Sequence, residues 1–267
     1  MTANFSLSRL GKLIAKQWVE NRRLYLMSTL ALLGLLGIVF LIWVATNGRR
    51  YDEDSLLITG VFGLFMTGAI FASTTFNMLG SKDKGIYWIS FPASHTEKLL
   101  VNLFFNVIVF TLVYVCCFFL LKTLVEAYIN FLIQSEPGSY SYKRTDRPNT
   151  KEALAFWASA FFAVQAAFMF GSGFFKRFYF ILTLIVIAVL VFLFVFYLVR
   201  LSKYSFGPGL NFDLFALQRY STSGSDTEYR DYVISPVLKN SVLFFMRYLI
   251  APFLWLITLF KLKEKQI

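Results

Sequence analysis

Arg247 is the only charged residue inside any long apolar run of this chain. A charge at that depth marks a substrate or gating position, or a side chain that snorkels to the headgroups. Gln165, in another run, is a polar side chain able to bond across helices and a second candidate for such a role. Ser94 and Glu97 have the S-x-x-E spacing of a capping box, in which the Ser hydroxyl accepts the N–H of Glu97 and the carboxylate reaches back to the N–H of Ser94. Pro92 just upstream disfavours a helix running into that cap. None of these groups is a nucleophile or a metal set. There is no G-x-x-x-x-G-K-[S/T], no H-E-x-x-H and no G-x-S-x-G, and His95 is the single histidine. Adjacent Cys116 and Cys117 lie within one apolar run, which argues against a disulfide framework and against a zinc site.

The elements that position these residues are membrane helices. The chain is 57% hydrophobic and 15% charged, with a net charge of +11; a soluble domain carries about 25% charged residues. Six runs are long enough to span: Leu24 to Thr46, Leu56 to Leu79, Leu99 to Leu121, Ala153 to Phe175, Phe178 to Val199 and Val242 to Phe260. In hydrocarbon each must be helical to satisfy its own backbone. The expected fold is an all-α, six-span membrane protein preceded by an amphipathic surface helix over 1–23. On that helix Leu7, Leu10, Ile14 and Trp18 face opposite Arg9, Lys12, Lys16, Glu20 and Arg23. Residues 24–267 form the transmembrane domain. Segments 1–23, 80–98, 176–177 and 261–267 are denser in Lys and Arg than 47–55, 122–152 and 200–241. The positive-inside tendency therefore places both termini in the cytoplasm.

Several local features refine this layout. From Glu97 to Gln134 there is neither Gly nor Pro, so the third helix runs beyond the membrane towards Pro137 and Gly138. Asn149 and Glu152 have capping-box spacing before the fourth helix. Ala155, Ser159, Ala163, Ala167 and Gly171 form a stripe of small residues, which lets helices or subunits approach closely. Gly171, Ser172, Gly173, Lys176 and Arg177 read as a short turn before a fifth span that faces lipid. In the long loop 200–241, "NFDLFALQRY" reads as a short, partly apolar helix.

The connector 80–98 is unlike a plain loop. Asp83 can cap a short helix bearing Ile86, Tyr87, Trp88 and Ile89, followed by Phe91 and a sharp corner at Pro92. A push on the short helix is then passed to the third span. At Lys82, Asp83, Lys84, Gly85, the helix Ile86 to Phe91, Pro92, Ala93, Ser94 and Glu97 the chain resembles the permease subunits of type 2 ABC exporters. It departs from them at Ser81, where members commonly carry Glu, and at Ile86, where they often carry Thr. The resemblance implies that the short helix is a coupling helix docking on a separate cytoplasmic ATPase subunit, which holds ATP and Mg while this chain binds no cofactor. It also implies an elbow helix, pairing of two permease copies as a homodimer or pseudo-dimer, and a place in a bacterial cytoplasmic membrane. The apolar spans favour an amphipathic or lipid-like cargo, and no feature points to nucleic acid. Two other readings stay open: a non-transporting sensor or assembly subunit that uses an ATPase mechanically, and an intramembrane enzyme acting on lipids.

Overall fold

The computed structural model describes residues 5–76, 93–143, 150–175, 177–206, 210–213, 216–223, 226–233 and 235–264. Six of its helices are long and apolar enough to cross a membrane. They are α1 (Leu7–Thr46), α2 (Glu53–Thr74), α3 (His95–Ser135), α4 (Thr150–Phe174), α5 (Tyr179–Phe206) and α6 (236–264). Two of them change pitch partway. α3 passes through a π-turn at Phe104–Val109, and α6 through another at Phe245–Leu249.

The amphipathic stretch from Leu7 and the first span form one unbroken helix, α1, of 40 residues. At 1.5 Å per residue it is about 60 Å long, twice the roughly 30 Å hydrocarbon core. No Gly or Pro lies near residue 23 to break it. α1 runs beside α3 for most of its length. Near its start Arg9 meets Glu97. In the middle Tyr25 stacks on Phe105, with ring centroids 5.2 Å apart. Further along, Leu36 and Phe40 enter a core with Tyr114 and Phe118.

α4 is the hub, packing on α2, α5 and α6. A second core joins Ala72 and Phe76 to Leu99, Phe168, Met169 and Leu262. α2 presents backbone to aromatic rings. A Cβ at Gly60 would lie 2.0 Å from the Phe118 ring, and one at Gly68 2.5 Å from that of Phe161. α5 is exposed along nearly its whole apolar length, as a lipid-facing span should be.

Three loop expectations need correction or refinement. The segment read as a short helix at 211–220 is instead sheet. β3 (Leu210–Asp213), β4 (Ala216–Ser223) and β5 (Asp226–Val233) form an antiparallel meander in the order β3-β4-β5, so the protein is not purely α. A shorter parallel pair, Arg50–Asp52 with Ser141–Lys143, ties the α1–α2 link to the segment after α3. Gly171 to Gly173 do not form the turn. α4 stays helical to Phe174, and Gly171 packs directly on Thr183 of α5. The reversal follows it, with Phe178 at a positive φ of 51°. The long third helix does continue, to Ser135. Asn149 and the 207–209 "GPG" lie outside the described residues.

The Gly171 contact yields a test. A Cβ there would lie 1.9 Å from Thr183 Oγ1. Gly171→Ala should therefore destabilise the protein by about 1–3 kcal/mol through overpacking. Gly11→Ala, where nothing lies within 4 Å, should not. Melting of both variants in detergent checks the contrast.

Candidate functional site

Of the connector, Asp83, Gly85, Ile86, Tyr87, Trp88, Phe91 and Pro92 lie outside the described residues. Ser94 and Glu97 are inside them, and their expected capping box forms. Glu97 N–H donates to Ser94 Oγ at 3.2 Å, and Ser94 N–H donates to Glu97 Oε2 at 2.9 Å. The cap fixes where α3 begins.

The same carboxylate does more than close the cap. Ser6 N–H donates to Glu97 Oε1 at 2.8 Å, and Arg9 Nη2 lies 3.2 Å from that oxygen. Glu97 is fully buried. A buried carboxylate is tolerable only when its charge and lone pairs are answered, and here two backbone N–H groups and a guanidinium answer them. Glu97 thus joins the first turn of α1 to the first turn of α3, directly after the connector. Sequence reasoning found the Ser94–Glu97 cap. It missed Ser6 and Arg9, because a contact across 91 residues leaves no local spacing signal.

A second polar cluster sits where α2, α3 and α4 meet. Asn106, in the first π-turn, donates from Nδ2 to Thr75 Oγ1 at 2.7 Å and to the Asn102 carbonyl at 3.1 Å. Gln165 Nε2 donates to the Asn106 carbonyl at 2.5 Å. Backbone carbonyls only accept, so both amide orientations are fixed. Among the described residues no donor reaches the buried Asn106 Oδ1 and Gln165 Oε1. Each such orphan costs about 1–3 kcal/mol. Gln165 was legible as a candidate, whereas Asn106 and Thr75 were not.

The small-residue stripe is only partly used within the chain. Gly171 is buried, Ser159, Ala163 and Ala167 are half-buried, and Ala155 is exposed. The face of α4 that packs deepest carries Phe161, Gln165, Phe168 and Met169. Arg247 falls in the second π-turn, half-exposed, and no hydrogen bond joins it to Gln165. Among the described residues no group of three or more His, Cys, Asp or Glu is placed to hold a metal ion.

No family model, curated protein or solved structure matches the chain.

Proposed function

We propose that this chain is the transmembrane permease subunit of an ATP-driven exporter, working with a separate cytoplasmic ATPase. The observation that carries the reading is the Glu97 junction. A connector bearing Tyr87, Trp88 and Phe91 enters α3 through a cap whose carboxylate also holds the start of α1. Displacement of the connector would move α1 and α3 together, and their shared packing through Phe105, Tyr114 and Phe118 would carry that motion across the membrane. In the proposed cycle, ATP binding draws two ATPases together, moves the coupling helices and opens a path between two permease copies. The half-buried stripe on α4 is the surface offered for close helix approach.

The mechanical-partner reading shares the junction, and a transport assay separates the two. The test is affinity purification of the tagged chain from its native membranes in mild detergent. A P-loop ATPase should co-purify, with hydrolysis that depends on this chain. Recovery of the chain with no ATPase would sink the proposal.

A further inference from the structure

The β3-β4-β5 meander is tied to the membrane at both ends. It begins four residues after α5 ends at Phe206, and it finishes three residues before α6 begins at Pro236. The apolar part of α5 closes at Arg200 and that of α6 opens at Asn240. Only about 9 Å and 6 Å of helix therefore separate the meander from the two spans, a length comparable with the headgroup layer. Lipid headgroups are its neighbours.

The strand register brings together residues that the sequence keeps apart. Arg219 of β4 is directly opposite Arg230 of β5. Alternate residues of a strand take alternate faces, so one face of the meander carries this arginine row. Beside it on the same face, towards the α6 end, lies an apolar row of Phe212, Leu217 and Tyr232. In the other direction come Glu228 and then Asp226, towards the β4–β5 turn. The opposite face carries Asp213 and Asp231 but no Arg or Lys. Charge on the first face is thus graded: apolar nearest the α6 end, cationic next, acidic at the far tip.

The placement points to an interaction between this face and anionic phospholipid, with the phosphate at the Arg219–Arg230 row and the apolar row nearer the acyl chains. Like charges directly opposite on neighbouring strands destabilise a sheet, and an oxyanion shared by the two arginines removes that cost. Glu228, one row along, can answer one arginine but not both. Arginine is the side chain best matched to phosphate, and interfacial Tyr is enriched at headgroup level. The acids at the tip keep clear of an anionic surface. A zwitterionic lipid would bring its own cation to the arginine row, and a free phosphate would leave the apolar row unused. This interaction holds or fails independently of the exporter reading.

The test uses the purified full chain in neutral detergent, read by native mass spectrometry. Phosphatidylglycerol should stay on the wild type, while phosphatidylcholine of the same acyl chains and inorganic phosphate should not. Arg219→Gln and Arg230→Gln should each weaken that retention about tenfold or more, the loss of a charge-assisted hydrogen bond. Neither should lower melting in lipid-free detergent, because each removes a repulsion. Arg49→Gln, at an exposed arginine of the α1–α2 link, should keep the lipid. Arg230→Gln combined with Ser221→Arg keeps the net charge but breaks the opposed pair, and it should not recover the lipid. Equal retention of phosphatidylcholine, unchanged retention in both Gln variants or recovery in the double variant overturns the interaction. So does an equal loss in Arg49→Gln, lower melting of the Gln variants, or capture of inorganic phosphate alone.

Discussion

Glu97→Ala should give one of the largest losses of stability of any single substitution in this chain. It removes the acceptor of Ser6 N–H and Ser94 N–H and leaves Arg9 beside a vacated, buried site. Breaking a buried ionic arrangement from one side costs about 3–5 kcal/mol, because the remaining donors stay desolvated. The low end is expected here, since Arg9 is part-exposed and can turn towards water. Ser94→Ala removes only the reciprocal cap bond and should cost about 1 kcal/mol. The two variants should therefore separate clearly in thermal melting. If the chain is coupled to an ATPase, Glu97→Ala should also raise hydrolysis that no longer drives transport, while the ATPase stays bound. Equal melting of the two variants would show that Ser6 and Arg9 add nothing to the cap.

Gly60→Val should come next. The Cβ would fall 2.0 Å from the edge of the Phe118 ring. That ring cannot swing aside freely, because it packs edge-on to buried Phe40 with centroids 5.7 Å apart. Tyr114 O–H also donates to the Gly60 carbonyl at 2.6 Å, and separation of α2 from α3 would strain that bond. Overpacking costs about 1–3 kcal/mol and the buried hydrogen bond about 1 more. Phe118→Ala in the same chain should recover part of the loss by making room. No recovery would place the damage elsewhere than in this contact.

The spans and the Ser94–Glu97 cap are legible because their signals are local: an apolar run of sufficient length, and two residues three apart. The sheet at 210–233 was not. "NFDLFALQRY" is short, mixed and aromatic, and helix and strand cannot be told apart by periodicity over such a stretch. Its strand pairing with Asp226–Val233 is a tertiary choice. The π-turns were invisible for a related reason. An extra residue in one turn changes which side chains face the neighbouring helices without leaving a compositional mark. Asn106 reads as a stray polar residue until Gln165 and Thr75, 59 and 31 residues away, are brought beside it. For α1 the amphipathic pattern was read as a helix lying in the membrane surface. The structure joins Arg9 and Tyr25 to α3, long-range contacts that the pattern over 1–23 does not announce.

The connector carries the functional proposal, and one measurement addresses it most directly: co-purification of the ATPase with Trp88→Ala and Phe91→Ala. Buried aromatic anchors at interfaces lose about 2 kcal/mol or more on truncation. If Trp88 and Phe91 fill a groove on the ATPase, each variant should insert at wild-type level and lose most of the bound ATPase. If these rings only rest among the lipid headgroups, as interfacial aromatics often do, both variants will hold the ATPase as the wild type does. That result would contradict the account.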